Sequence, residues 1–345
     1  MQKPTIRNLL PEELEALMKE MGEQAFRAKQ IFQWTQRGVR SFDEMTNLSE
    51  SLRQQLKDRF TFTAPQLLEK LESTDGTIKY LWELSDGNTV ETVLMRYRHG
   101  NTICISSQVG CRMGCTFCAS TIGGLVRNLD AAEMLEEVLF TELDAGTKIS
   151  NIVLMGIGEP LDNFEQVLRF LKLVNHPGGL NIGMRHITLS TCGLIEEIDK
   201  LACNHLQLTL SISLHAPDDE TRNQLMPISR KSSVRELLEA AERYYKETGR
   251  RVSFEYAMID GVNDTPEQAA LLSKRIKGIG GHVNLIPLNP IAERELGPSA
   301  EEKLERFENI LRQAGVNVTI RRSLGGDIDA SCGQLRRRKE REGNA

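Results

Sequence analysis

Three cysteines within eight residues, Cys111, Cys115 and Cys118, form the part of the chain best suited to chemistry. They are separated by three and two residues, in the short segment 108–119 that follows an apolar run. Thiolates at this spacing can converge on one soft metal centre, and a cubane iron–sulfur cluster normally takes four of them. With three thiolates, one iron keeps an open position, much as a catalytic zinc does. The spacing therefore predicts a cluster that can bind a substrate or a cofactor.

Zinc is the main alternative for these cysteines. A structural zinc would need a fourth ligand, either Cys104 or a distant histidine, and neither stands at an ordinary zinc-finger spacing. Thiols that bind no metal are the remaining interpretation. We favour the cluster, because other residues of the chain are suited to cluster chemistry.

Polar residues follow several predicted strands and would face a common cavity. After the strand predicted at 152–155 comes Gly156-Ile-Gly158-Glu159-Pro160, whose glycines would let a ligand approach the backbone and whose glutamate could hold an ammonium group. Each polar position alone is more typical of a turn or cap, but together they fit a ribose or an amino-acid moiety. The other positions are Ser190, the segment of Ser213, Leu214 and His215, and Asn289.

Three further residues are candidates for catalysis. Cys332 lies in a glycine-flanked polar segment after the last predicted strand, which is more typical of a mobile loop than of a buried thiol. Cys104 lies in the strand that leads into the cysteine loop, where core packing would explain it equally well. Glu91 shares a strand face with Val93 and Met95, so its carboxylate could act as a general base. A salt bridge on an edge strand is the alternative for Glu91.

The length and composition are those of an ordinary globular protein. The chain has 345 residues, a net charge of −5 and seven cysteines. This length predicts one large domain with a smaller companion. No apolar run reaches membrane-spanning length. The cysteines are odd in number and three of them are clustered, which suits a reducing compartment. We therefore expect a cytosolic protein, and a monomer.

Two basic runs favour a nucleic-acid partner in spite of the negative net charge. Residues 27–40 hold four cations, no acid and the aromatics Phe32 and Trp34, and a second run occupies 335–341. A solvated face would explain either run alone. Two such runs on either side of a catalytic centre indicate contact with an RNA or DNA backbone.

Hydrophobic periodicity predicts an α/β fold. Helices are predicted at 11–21, 25–36 and 41–60, and a β-hairpin turns at Asp86-Gly87. From residue 102 onward, apolar β-rich runs alternate with amphipathic helices, which predicts βα units and a parallel sheet. About seven strands fall short of the eight of a closed barrel. We therefore predict an incomplete, partly open, TIM-like barrel, with the catalytic residues at the carboxyl ends of its strands.

The same periodicity divides the chain into four parts. We assign 1–62 to a small helical RNA-binding domain and 63–100 to a β-hairpin that connects it to the barrel. The partial barrel occupies 101–335, and 336–345 form a basic C-terminal tail.

Three motifs together resemble a known family. The cysteine spacing, Gly156 to Pro160 and the C-terminal segment 327–335 are similar to those of radical S-adenosylmethionine (SAM) RNA methyltransferases that act on adenine C2 in 23S rRNA and tRNA. The likeness spans nearly the whole chain. The cysteine motif belongs to a large superfamily, but with the C-terminal Cys-Gly-Gln-Leu it is specific to this family and to a C8-methylating resistance branch. Pro160 fits the C2 branch, and Ser331 stands where alanine is usual.

The resemblance implies the cofactors and the course of the reaction. A [4Fe–4S] cluster on Cys111, Cys115 and Cys118 would work with two SAM molecules per turnover. One SAM methylates Cys332, and the second is cleaved at the open iron to a radical that takes hydrogen from that methyl group. The resulting methylene radical adds to adenine C2. Release would use Glu91 to remove the C2 proton and Cys104 to form a disulfide bond with Cys332.

The resemblance also implies ligand contacts and partners. Gly158 and Glu159 would hold the SAM ammonium group. The substrates would be an adenine of the peptidyl transferase centre in 23S rRNA and the adenine 3′ of the anticodon in tRNA. An electron donor such as flavodoxin with its reductase would supply the cluster. The remaining SAM contacts would be Ser190, Ser213, Leu214, His215 and Asn289.

Three alternatives to this function remain open at the level of sequence. The first is C8 methylation of rRNA adenine. The second is a metal-stapled RNA-binding protein without catalytic activity, which would leave Glu91 and Cys332 without a purpose. The third is a radical enzyme that acts on a small molecule, which would not need the basic runs.

We predict that protein purified without oxygen contains iron and acid-labile sulfide, because three clustered thiolates suit an iron–sulfur cluster. Colorimetric iron and sulfide assays, with elemental analysis for zinc, provide the measurement. Zinc as the sole metal would refute the cluster.

Overall fold

The first part of the chain is helical. The computed structural model describes residues 3–291, 293–322, 324–328 and 334–343, with side chains in the last helix described as far as residue 339. The prediction of one helix over 41–60 is wrong, because Ser41 caps a short 3₁₀ helix at Phe42–Glu44 and Ser49 caps a separate helix. Each serine side chain accepts a backbone N–H, which starts a new helix at that residue. The three α-helices are α1 (Pro11–Glu20), α2 (Phe26–Thr35) and α3 (Glu50–Arg59).

A ten-stranded sheet forms the centre of the molecule. Its first four strands pair antiparallel, and the strands from the fourth onward pair parallel, which gives seven parallel strands. The predicted α/β fold with an incomplete barrel is therefore confirmed. In spatial order the strands are β1 (Gln66–Glu72), β2 (Ile78–Glu83), β3 (Thr89–Tyr97), β4 (Gly100–Cys104), β7 (Asn151–Leu154), β8 (Ile187–Thr191), β9 (Thr209–Ser213), β10 (Val252–Met258), β11 (His282–Pro287) and β12 (Asn317–Ile320).

Helices connect the parallel strands and cover one face of the sheet. Asp130 caps the first of them, since its side chain accepts the N–H of Glu133 at 2.8 Å. A separate two-stranded ribbon, β5 (Gln108–Gly110) and β6 (Leu125–Asn128), brackets the cysteine loop. The helices are α4 (Ala131–Ala145), α5 (Phe164–Asn175), α6 (Ile195–Cys203), α7 (Asp219–Leu225), α8 (Val234–Thr248), α9 (Pro266–Ile276), α10 (Glu301–Gln313) and α11 (Gln334–Gly343).

Two regions differ from the sequence-based expectation. The predicted hairpin is present as β2 and β3, but β1 joins it, and β3 continues the barrel sheet by pairing with β4. At the other end, α11 begins at Gln334, so the basic run is helical. Among the described residues, no helix is long and apolar enough to cross a membrane.

The N-terminal helices are fixed to the barrel by a buried arginine. Arg7 is fully buried, forms an ion pair with Glu136 of α4, and donates to the carbonyl oxygens of Thr35 and Thr63 at 3.1 and 2.8 Å. Such a buried cation is tolerated only when all its donors are paired. One continuous apolar core spans both regions, so they form a single packed unit.

We predict that Arg7→Met lowers the free energy of unfolding by about 3–5 kcal/mol, because Glu136 is left buried without its cation. A urea titration followed by circular dichroism gives the value. Arg59→Met is the matched control: its pair with Glu20 is largely exposed, so the loss is below about 1 kcal/mol. Equal losses for both variants would contradict the anchoring role.

Candidate active site

The cysteine loop is held at the carboxyl end of β4 by the β5–β6 ribbon. The N–H of Cys111 donates to the carbonyl of Gly124 at 3.0 Å. Gly110 has φ of +75°, and a Cβ there would come within 2.0 Å of the Gly124 oxygen, so only glycine fits. The loop then packs against the barrel, where the N–H of Thr116 donates to Leu225 at 2.9 Å.

The surroundings of the cysteines fit an iron–sulfur cluster. Cys111 is 7% exposed and packs, with Cys115, in an apolar cluster that includes Met226, Ile259 and Leu288. Burial raises the pKa of the Cys111 thiol to about 12. Burial, together with the neighbouring Cys118 and Cys111 thiols, also raises the pKa of Cys115. Thiols in such an apolar shell, as Cys111 and Cys115 are, are stable as thiolates only beside strong positive charge, which the irons of a cluster supply.

Within the described ranges, no three histidine, cysteine or acidic side chains are close enough to share a single metal ion. A four-iron cubane takes one thiolate at each ligated iron, so it does not need three side chains on a single ion. Cys104, the proposed fourth zinc ligand, packs instead in a different apolar group with Val93 and Met95.

The two glycines after β7 are required by packing within the chain. A Cβ at Gly156 would lie 2.5 Å from the Ile105 oxygen, and one at Gly158, which has φ of +111°, would lie 2.8 Å from the Gln108 nitrogen. That these glycines let a ligand approach the backbone stays a prediction; in the structure they make room for the start of the cysteine loop. They thereby hold Glu159 beside that loop.

Glu159 lies next to the cysteines and is 3% exposed. Its Oε2 accepts the N–H of Cys192 at 2.7 Å and its Oε1 accepts that of Leu161 at 3.1 Å. Burial raises its pKa, while these two backbone donors lower it. A carboxylate with free lone pairs in this position can accept the ammonium group of an amino acid.

The remaining polar residues predicted at the rim lie at the ends of neighbouring strands. Ser190 and Ser213 are half-buried near the ends of β8 and β9. His215 follows with φ of +57°, and its Nδ1 accepts the N–H of Ala257 at 2.9 Å. Burial lowers the pKa of His215 to about 3, so the ring is neutral. Asn289 follows β11 and is exposed.

Arg222, which sequence reasoning missed, connects two of these strand ends. It is 1% exposed, and it donates to the carbonyl oxygens of Leu214, Cys192 and Ser213 at 3.1, 2.6 and 3.2 Å. Burial lowers its pKa. By bridging the ends of β8 and β9, the guanidinium fixes the spacing of the polar residues that follow them. Its position in an ordinary polar helix gives no sequence signal.

Glu91 faces the inside of the barrel. It is 3% exposed, forms an ion pair with the fully buried Lys79 at 3.0 Å, and accepts the N–H of Arg336 at 2.6 Å. The apolar neighbours Val93 and Met95 are present as predicted. The alternative of an edge-strand salt bridge is half right: the ion pair exists, but β3 is an internal strand between β2 and β4. Sequence reasoning missed Lys79.

Cys104 lies next to the face of β3 that carries Glu91 and Val93, because it pairs with Val93 in the β3–β4 register. It is 5% exposed and packs with Met95 and, from the C-terminal segment, Leu324. Cys332 lies outside the described residues. The described residues on both sides of 329–333 contact this face, through Leu324 at the apolar group of Val93, Met95 and Cys104 and through the Arg336 N–H at Glu91. No disulfide bond joins two of the cysteines that the structure describes.

The two basic runs have different surroundings. In the N-terminal run, the Arg27, Arg37 and Arg40 guanidinium groups stack on aromatic rings at 4.8, 5.1 and 4.7 Å. Phe32 of this run is buried, and Trp34 carries one of the stacked arginines. In the C-terminal run, Lys339 pairs with Glu69 at 3.1 Å, and Arg338 pairs with the same carboxylate. The N-terminal run is therefore the better candidate for a nucleic-acid interface.

Two family models match the chain. Residues 5–62 match the ribosomal RNA large subunit methyltransferase N-terminal domain. Residues 105–272, which contain the cysteine loop and most of the barrel, match the radical SAM superfamily.

Similar proteins cover nearly all of the chain. A probable dual-specificity RNA methyltransferase RlmN of Alkaliphilus metalliredigens is 52% identical over 98% of this chain and 96% of its own. The protein of the same name from Clostridium perfringens is 54% identical over 94% of each. The crystal structure of a radical SAM methyltransferase from Sphaerobacter thermophilus matches with a TM-score of 0.91 and 43% identity, over 96% of this chain and 98% of that one. This chain therefore belongs to the RlmN family of radical SAM RNA methyltransferases, whose members use a [4Fe–4S] cluster and SAM.

Proposed function

We propose that this protein methylates C2 of adenine in 23S rRNA and in tRNA, and that the methyl group passes through Cys332. The observation that carries the proposal is the inward face of β3 and β4. There Glu91 and Cys104 lie on adjacent strands, and the described residues on both sides of 329–333 contact this face. A carboxylate, a thiol and a segment bearing a second thiol are the groups that this reaction needs.

Adenine C2 is an electron-poor carbon, so direct attack on a sulfonium methyl group is not open to it. When bound, the cluster and SAM supply radical chemistry that activates an otherwise inert methyl group. The protein's own part is to hold the cluster on Cys111, Cys115 and Cys118 and to exclude water around it. The apolar shell of Met226, Ile259 and Leu288 supports the second task.

For SAM, we propose Glu159 as the partner of the ammonium group, with Gly158 as the residue that positions it. Ser190, Ser213, Leu214, His215 and Asn289 complete the proposed set. The bridge by Arg222 supports this assignment, because it holds the ends of β8 and β9 at one spacing. A neutral His215 also fits a site for a cationic sulfonium, since a protonated ring would repel it.

Product release is assigned to Glu91 and Cys104. Glu91 accepts the proton that leaves C2 after carbon–carbon bond formation, and the one electron that the adduct must also lose would pass to the cluster held by Cys111, Cys115 and Cys118. Cys104 then attacks the Cys332 sulfur, so that a sulfur–sulfur bond forms and the carbon–sulfur bond breaks. The methylene carbon leaves with the bonding electron pair and takes up one proton, equivalent to the proton lost by the Cys104 thiol, to become the methyl group. The ion pair with Lys79 supports the role of Glu91, because it holds the carboxylate at a fixed position on the inward face of the barrel.

We assign RNA binding to the N-terminal basic run, through backbone charge and shape. The arginines stacked on aromatic rings support this assignment, since they hold positive charge at fixed positions. The target adenine must leave its stack to reach the barrel, which costs a few kcal/mol and favours single-stranded loops. The proposal includes a cytosolic location, a monomeric enzyme and an external one-electron donor such as flavodoxin.

The test is to incubate reconstituted protein, without oxygen, with reductant, SAM and either unmodified rRNA or tRNA. We expect 2-methyladenosine in the nucleoside digest of each RNA, identified by mass spectrometry against 2-methyl and 8-methyl standards. Cys332→Ala abolishes the product although the cluster assembles, whereas Cys203→Ala, at an exposed thiol, leaves it unchanged. Formation of 8-methyladenosine would assign the C8 reaction instead, and an active Cys332→Ala would remove the methyl-carrier role.

A second prediction isolates the release step. Cys104→Ala should form the carbon–carbon bond but fail to break the carbon–sulfur bond, so RNA remains covalently attached to the protein. A denaturing gel with labelled RNA would show the slow band, and Cys203→Ala should show none. If Cys104→Ala releases methylated RNA at the normal rate, Cys104 has no role in release.

A further inference from the structure

Glu255 is a buried carboxylate that has no role in the reaction described above. It lies in the middle of β10 and is 4% exposed. Its chain neighbours Phe254 and Tyr256 pack in the core between sheet and helices. Because side chains alternate along a strand, Glu255 faces the inside of the barrel.

One of its two oxygens is fully used. Oε1 accepts hydrogen bonds from Ser211 Oγ at 2.7 Å, Ser253 Oγ at 3.1 Å and Asn284 Nδ2 at 3.0 Å. Among the described residues, no donor reaches Oε2 and no lysine or arginine pairs with the carboxylate. Burying a carboxylate with one oxygen unpaired costs free energy unless a further donor binds that oxygen. The three donors fix the orientation of the carboxylate, so Oε2 is a preformed acceptor.

The position of Glu255 connects it to the proposed SAM site. It lies opposite Ser213 of β9 in the strand register. Its backbone carbonyl accepts the N–H groups of Leu214 and His215 at 3.0 and 3.2 Å. Glu255 thus holds the backbone of the segment that we assign to SAM, and its side chain enters the barrel at the same level.

We infer that Glu255 Oε2 binds the ribose hydroxyl groups of SAM, an inference that rests on the proposed function. Acidic side chains bind ribose hydroxyls in dinucleotide-binding folds, where a carboxylate oxygen accepts from the hydroxyl. Free SAM presents two adjacent hydroxyls. A nucleotide within an RNA chain presents only its 2′-hydroxyl, because its 3′-oxygen is in a phosphodiester. The free cofactor therefore fits this acceptor better than the RNA does.

The experiment combines a change in the protein with a change in the ligand. Isothermal titration of cluster-loaded protein, without oxygen, measures binding of S-adenosylhomocysteine and of its 2′-deoxy and 3′-deoxy analogues. We expect the wild type to bind at least one deoxy analogue about tenfold more weakly, the loss of one hydrogen bond to a charged group. Glu255→Gln should bind S-adenosylhomocysteine about tenfold more weakly and no longer distinguish it from that analogue.

The control is Cys203→Ala, at an exposed thiol of α6 that takes no part in the proposed site, and it should retain the discrimination. Iron content and circular dichroism establish that each variant is folded. If Glu255→Gln does not fold, Glu255→Asp serves instead. Its side chain is one methylene shorter, so its carboxylate no longer reaches the ligand and the discrimination should also be lost.

Each other outcome counts against the inference. Equal discrimination by the wild type and the Glu255 variant would overturn it, and so would a wild type that binds all three ligands equally. If the loss of discrimination appears only for RNA carrying 2′-deoxyadenosine at the target, the bound ribose belongs to the RNA. A wild type that binds no S-adenosylhomocysteine would instead undermine the proposed SAM site itself.

Discussion

The close contact between two backbone segments, 105–108 and 156–159, is the constraint on which the site depends. The N–H of Gly156 donates to Ile105 at 3.0 Å, and the N–H of Gln108 donates to Ile157 at 3.1 Å. Neither contact leaves space for a Cβ at the two glycines. This contact fixes the start of the cysteine loop to the loop that carries Glu159. The metal-binding and ligand-binding parts of the site are thereby built as one unit.

Around this contact, the barrel interior has an apolar side and a polar side. The side formed by β3, β4 and β7 is largely apolar, with Val93, Met95 and Cys104, and it holds one buried ion pair at Glu91. The side formed by β9 to β12 is polar and centres on Glu255 and Asn284. Radical steps benefit from a dry, apolar wall, whereas a cofactor with hydroxyl and charged groups needs a polar one. The two walls match the two tasks of the proposed reaction.

Much of the architecture could be predicted from local patterns. The alternation of apolar strands and amphipathic helices predicts the parallel strands, since each βα unit is local in sequence. The extra strand β1 was missed because its residues are mostly exposed and lack a clear hydrophobic alternation. The break between Phe42–Glu44 and α3 was missed because two capping serines outweigh the helical character of the surrounding residues.

By itself, the sequence determined the candidate metal ligands, the βα order and the family, because these depend on residue type and spacing along the chain. The tertiary structure decided which side chains meet. Lys79 reaches Glu91 from the next strand, Arg222 bridges two strand ends, and Glu255 gathers donors from three strands. Most of these contacts join residues of different strands or helices, and no local periodicity encodes the partner of a buried charge. They exist because a charge inside a protein must be paired wherever the fold places a partner.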